Sequence, residues 1–104
     1  MSKFYNITGS TGVTVELIAP DSGDSVKSIL LTNVHASNDA TVTLFIQYVP
    51  ISGTTLTYNI IHTIAIPADS SLFLDDSSIF RFDEKYGLYI TVGASDTVDV
   101  IVSQ

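Results

Sequence analysis

Near the C-terminus apolar and polar residues alternate, with Val98, Val100 and Val102 set against Thr97, Asp99 and Ile101. Successive side chains of a strand point to opposite faces, so a period of two predicts a strand with one face in a core and the other mostly wet. Gly87 to Val92 repeats the pattern through Leu88, Ile90 and Val92. The Gly93-Ala94-Ser95-Asp96 turn between the two runs predicts that they form a hairpin.

The stretch Ser28 to Ile46 holds two more β-patterned runs folded about the small-polar turn Ala36-Ser37-Asn38-Asp39-Ala40 and reads as a second hairpin. In the later run Val42, Leu44, Ile46 and Tyr48 share one face, while Phe45 and Val49 share the other with Thr43 and Gln47. Pro50-Ile51-Ser52-Gly53-Thr54 interrupts the pattern. Leu56 to Ile66 is then a long strand, ended by Pro67-Ala68-Asp69-Ser70-Ser71.

At the other end, Phe4 to Thr8 and Val13 to Ile18 are separated by Gly9-Ser10-Thr11-Gly12 and are expected to pair as a first hairpin. Ala19 to Asp24 is a loop, and short runs at Ser71 to Leu74 and Ile79 to Phe82 complete the set. Eight or nine short strands with frequent turn signals, and no segment of helical period, predict an all-β chain. The expected fold is a single antiparallel β-sandwich of jelly-roll or Ig-like type spanning residues 1–104. Residues 1–8 are expected to form an N-terminal arm.

Composition narrows what such a sandwich does. At 104 residues the chain has room for one core. Charged residues are only 14% and hydrophobic ones 45%, which argues against both disorder and a Glu/Lys-rich bundle. A net charge of −7, from 11 acidic and 4 basic side chains, repels a phosphate backbone, so nucleic acid is not an expected partner. The absence of cysteine removes disulfides and thiolate metal sites. Met1-Ser2-Lys3-Phe4-Tyr5-Asn6 does not read as a signal peptide, and no apolar run approaches the roughly 20 residues of a spanning helix, so no membrane partner is expected.

Candidate chemistry is sparse. His35 falls in a turn and His62 in mid-strand, and no Gly-x-Ser-x-Gly elbow accompanies them, so no catalytic residue is assigned. Asp75-Asp76 and Asp83-Glu84 abut turns, where a carboxylate ordinarily bonds the local backbone. Asp21-Ser22-Gly23-Asp24 offers oxygen ligands but not the spacing of a calcium loop, and no metal is assigned. No glycine-rich loop joins a strand to a helix, so no nucleotide cofactor is expected. Aromatics remain: Phe45 and Tyr89 lie on the less buried strand faces, and Phe4 and Tyr5 on the N-terminal segment. Exposed strand aromatics suit a subunit interface better than a sugar platform, so Phe4, Tyr5, Phe45 and Tyr89 are the candidate interface residues.

The order of pieces resembles a group of small tailed-bacteriophage virion proteins. The likeness is carried by Val26-Lys27-Ser28-Ile29-Leu30-Leu31-Thr32-Asn33, the turn Ala36-Ser37-Asn38-Asp39-Ala40, and Val42-Thr43-Leu44-Phe45-Ile46. It continues through Ile64-Ala65-Ile66-Pro67-Ala68-Asp69-Ser70-Ser71-Leu72 and the ending from Val92 to Ser103, so it covers roughly residues 25 to 103. What the resemblance implies is a structural, non-enzymatic role without a cofactor, in a virion assembled in a host cytoplasm. The expected protein is a capsid decoration or cement protein, or else a neck, tail or fibre component. Its expected partners are the major capsid protein or other virion proteins, with homo-oligomers such as a trimer. A glycan-binding host-attachment module is the alternative of another class, and it predicts exposed tyrosines in a shallow groove.

Overall fold

A computed structural model describes residues 2–9, 13–22, 24–75, 80–93 and 96–104. Eight strands follow one another: β1 (Ser2–Gly9), β2 (Val13–Ile18), β3 (Ser28–Asn33), β4 (Ala40–Tyr48), β5 (Leu56–Ile66), β6 (Ser71–Leu74), β7 (Gly87–Val92) and β8 (Asp96–Ser103). They form two four-stranded antiparallel sheets, ordered β1-β8-β3-β6 and β2-β7-β4-β5. The expected β-sandwich is present. Its pairings are β4 with β5, β3 with β6, β2 with β7 and β1 with β8, so the first half of the chain runs antiparallel to the second. Further pairing of β3 with β8 and of β4 with β7 rolls this long double ribbon into two layers. That connectivity is a jelly roll, and it decides between the two sandwich types expected.

The rolled ribbon overturns three expected hairpins. β1 and β2 lie in different sheets, as do β3 and β4, and β7 and β8. Turn residues mark where the chain reverses, but a reversal also serves a crossing from one layer to the other. Only β4 and β5 are both consecutive and paired among the described strands. Of residues 1–8, expected as an arm, Ser2 to Thr8 belong to β1, which is paired with β8 through eight unbroken register positions from Ser2↔Ser103 to Gly9↔Asp96. The expected strand at Ile79 to Phe82 is absent where it is described: Phe80 to Phe82 belong to the connection before β7, and Ile79 lies outside the described residues.

Alternation sets the core as expected. Ile29 and Leu31 of β3, Val42 and Leu44 of β4, Leu88, Ile90 and Val92 of β7, and Val98, Val100 and Val102 of β8 are fully buried between the sheets. Each such side chain contributes roughly 1.5–3 kcal/mol on leaving water. Two strands depart from strict alternation. In β2 the register slips between Glu16 and Ile18, which turns both Leu17 and Ile18 into the core. In β5 two slips against β4 bring the adjacent Ile60 and Ile61 against it.

Asn33 is the one polar residue buried among those described, and all its bonds are made. Its Nδ2 donates to the Ile66 and Asn38 carbonyls, both at 2.9 Å, and its Oδ1 accepts from the His35 amide at 2.9 Å. One side chain thus ties the end of β3 to the end of β5 in the opposite sheet.

Candidate interaction surfaces

The outer face of the β1-β8-β3-β6 sheet follows directly from its register. Phe4 stands opposite Ile101, Ile101 opposite Leu30, and Leu30 opposite Phe73. These four apolar side chains form one row across all four strands on the solvent side. Phe4 is 72% exposed and Phe73 56%, while Ile101 and Leu30 between them are half-buried. The neighbouring row is polar throughout: Asn6, Asp99, Thr32 and Ser71. Asn6 Nδ2 donates to Asp99 Oδ1, and the Thr32 and Ser71 hydroxyls share a bond of 2.9 Å. A shallow hollow of about 420 Å³ lies beside Phe4 and Ile101.

The outer face of the β2-β7-β4-β5 sheet is different. Its central row runs Glu16, Tyr89, Phe45, Asn59, and the Tyr89 and Phe45 rings stack with centroids 5.5 Å apart and 22° between planes. The Tyr89 ring end sits against Gly87, where a Cβ would come within 2.7 Å of its Oη. Burial raises the Tyr89 phenol above its ordinary value, and the Glu16 carboxylate beside it adds to the rise. The next row is made of Thr14, Thr91 and Thr43. Thr14 and Thr91 share a hydroxyl bond of 2.9 Å, and Thr43 Oγ1 accepts from the Thr63 amide at 2.9 Å.

The four candidate interface residues therefore do not form one patch. Phe4 is on the outer face of one sheet, and Phe45 with Tyr89 on the outer face of the other. Tyr5 points inward against the core, and its hydroxyl donates to the Leu17 carbonyl at 3.2 Å. The reason is alternation itself, since Phe4 and Tyr5 are adjacent on one strand. Leu30, Phe73 and Ile101 escaped attention because each reads as an ordinary strand residue; only the register aligns them with Phe4.

A third surface lies at one end of the sandwich, where the β2–β3 and β6–β7 connections meet. An open cavity of about 580 Å³ is lined there by Phe80, Arg81, Phe82, Tyr86, Lys27 and Glu84, among others. Beside it the Tyr86 ring sits 5.6 Å from that of Tyr48 and 6.1 Å from that of Tyr58, and Lys85 Nζ lies 5.1 Å from the Tyr48 centroid. The β4–β5 hairpin runs on from this cluster to a tip carrying the exposed Val49 and Ile51.

Most of the titratable candidates described have local partners. His35 Nδ1 accepts from the Ser37 and Asn38 amides at 3.2 Å, and His62 is exposed on β5. Asp83 Oδ1 accepts from the Lys85 amide at 3.1 Å, and the Asp83 carbonyl from the Tyr86 amide at 2.9 Å, which is turn chemistry. Asp24 accepts from Lys3 Nζ at 3.1 Å. Gly23 and Asp76, from the two other acidic segments, lie outside the described residues. No group of three or more His, Asp or Glu side chains placed to hold a metal occurs among the described residues.

No protein-family model matches the chain, and no curated protein matches it in sequence. Among solved structures it is similar to the crystal structure of PirA, at 14% identity over 99% of this chain and 93% of that one, with a TM-score of 0.56. It is also similar to the structure of the infectious bursal disease virus Gx strain, at 15% identity over 98% of this chain and 33% of that one, with a TM-score of 0.46. The particle structure of the T13 form of the same virus gives 10% identity, 97% and 35% coverage, and a TM-score of 0.34. This chain spans about a third of either viral chain. At such identities the resemblance to PirA is one of fold, and what this chain shares with it is the all-β sandwich.

Proposed function

We propose that this chain is a non-enzymatic structural protein of a tailed-bacteriophage virion, a decoration or cement protein that sits on the outside of the shell at subunit junctions and reinforces it. The observation that carries this reading is the exposed apolar row Phe4, Ile101, Leu30 and Phe73, bordered by a bonded polar row. A flat sheet face with apolar residues at its centre and polar groups beside them is the anatomy of a docking surface. Two phenyl rings left more than half exposed are the side chains whose burial most stabilises a contact. The resemblance of residues 25 to 103 to small tailed-phage virion proteins supports the particle role. The charge of −7 favours the outer surface of a shell over packaged DNA. Jelly rolls build viral shells and also lectins, so the fold by itself selects neither.

The partner on this reading is the major capsid protein or another virion protein, and binding to the folded state alone adds to the stability of both. The test is the copy number in purified particles relative to the major shell protein, together with an icosahedral reconstruction. Hundreds of copies with density outside the shell support decoration. A few to a few tens at one vertex move the protein to the neck, tail or fibre, and absence from particles overturns the structural role. In the same particles, Phe4→Ser with Phe73→Ser is expected to lower occupancy at least about tenfold, the scale of one or two lost aromatic anchors.

A second reading is supported by a separate observation. The tyrosine cluster Tyr48, Tyr58 and Tyr86 beside the end cavity supplies faces on which a sugar ring stacks, and Arg81, Lys27 and Glu84 line the same cavity as Tyr86. A glycan-binding attachment module predicts binding on a glycan array that Tyr86→Ala abolishes; no binding overturns it.

A further inference from the structure

A two-layer jelly roll has four sheet edges, and here they are β1, β6, β2 and β5. An edge strand carries a row of backbone N–H and C=O groups that another strand can meet, and proteins ordinarily blunt it. Three of the four are blunted. β5 carries two register slips against β4 and places Thr63 at a φ of 51°, which twists its free side away from a regular ladder. β2 is broken by the slip between Glu16 and Ile18. β6 has four residues. β1 has eight, contains no proline, and keeps an unbroken register with β8. Among the described residues no backbone bond reaches β1 from any strand other than β8.

The apolar row of the outer face ends at this edge. Phe4, like Phe73 at the other end, has a cross-strand neighbour on one side only, and it is the most exposed member of the row. We propose that β1 is a self-association edge: two copies of this chain pair their β1 strands antiparallel about a two-fold axis at Phe4, joining their sheets into one of eight strands.

The register follows from side-chain chemistry. With the axis at Phe4 the two phenyl rings are directly opposed, and the row becomes continuous as Phe73-Leu30-Ile101-Phe4 followed by its mirror order. On the inner face the same axis sets Lys3 opposite Tyr5 of the second copy, so no like charges meet across the new pair. An axis at Tyr5 would oppose Phe4 to Asn6, and one at Asn6 would oppose it to Thr8, each setting an apolar ring against a polar side chain. Lys3, the charge that would otherwise guard the edge, is already held by Asp24 at 3.1 Å. The two copies share a charge of −7 each, so pairing strengthens as salt rises. This inference does not rest on the particle role, because it concerns the free protein in solution.

The experiment is sedimentation equilibrium of the purified chain in moderate salt, over a series reaching about 1 mM because an edge contact of this size lies at the weak end of specific interfaces. The weight-average mass is expected to rise from 11.2 kDa toward twice that value. Phe4→Lys, which sets two like charges face to face, is expected to hold it at one chain with an unchanged strand spectrum. A constant single-chain mass for the unsubstituted protein overturns the proposal, and so does a plateau at three chains.

A second measurement reads the register and does not need the lysine variant to fold. The chain has no cysteine, so Phe4→Cys introduces one thiol, and opposed Cα atoms about 4.5–5.5 Å apart suit a disulfide. Oxidation should link Phe4→Cys at least about tenfold faster than Phe73→Cys, since pairing raises the effective concentration at Phe4 alone. Equal rates, or a faster Phe73→Cys, overturn pairing through β1.

Discussion

Asn33 illustrates how much one residue decides. It follows Ile29 and Leu31 on the inward side of β3, where a third apolar residue would satisfy the pattern, and instead it satisfies two carbonyls and an amide. Asn33→Ala is expected to cost about 2–4 kcal/mol, because it leaves those backbone groups without partners in a dry place. Chemical denaturation reads this as a lower midpoint with an unchanged slope. Tyr89 gives a pH signature. Its proton is held more tightly in the folded chain than in the unfolded one, so the stability this contributes is present below the ordinary tyrosine value of about 10 and is lost as pH rises through the higher folded-state value. Glu16→Gln is expected to move the tyrosinate absorbance transition of Tyr89 downward, while burial keeps it above the ordinary range. No shift on that substitution would mean that Glu16 does not act on the phenol. Tyr89 was legible as an outward strand aromatic, but its rest against Gly87 was not, since that contact depends on the ring folding back two residues along its own strand.

At the scale of the element, the strands themselves were readable and their partners were not. Alternation marks β7 and β8 plainly, yet a polar turn between two strands is compatible with pairing or with a step to the other sheet, and the energy that separates the two lies in distant core contacts. The bulges are of the same kind. β5 is two residues longer than β4, with eleven against nine, and the surplus appears as two register slips that turn Ile60 and Ile61 together toward the core. Thr63 adopts a φ of 51° there, a region that costs a β-branched residue on the order of 1–2 kcal/mol. Thr63→Asn, which tolerates that conformation and keeps the amide bond to Thr43, is expected to raise stability by about 0.5–1 kcal/mol. A lower melting temperature for this variant would argue against strain at Thr63.

For the whole molecule, pairing first half with second half sets both the burial and the ends of the chain. Leu44 is at the centre of the buried layer, and Leu44→Ala is expected to cost about 3–5 kcal/mol. For a domain near this size each kcal/mol lowers the melting temperature by roughly 4–8 °C. Ser2 and Ser103 are register partners, so a short linker from residue 104 to residue 1, with new ends at the exposed Gly53 turn, is expected to leave the strand spectrum unchanged. A permuted chain that fails to fold would mean that β1 and β8 are not neighbours. The residue pattern by itself determined that the fold is a sandwich and marked the segments of its eight strands and most of their core-facing side chains, because a period of two and the burial of one face are local properties of a strand; it also marked Ile79 to Phe82, where Phe80 to Phe82 form no strand, and it did not reveal the slips that turn Leu17 with Ile18 and Ile60 with Ile61 inward. Only the tertiary structure decided which strands pair, that Phe4, Ile101, Leu30 and Phe73 stand in one row while Phe45 and Tyr89 face the other way, and that β1 is an unblunted edge. Each of those is a matter of register between segments far apart in the chain, and register is selected by the fit of the whole core, which no single stretch of residues encodes.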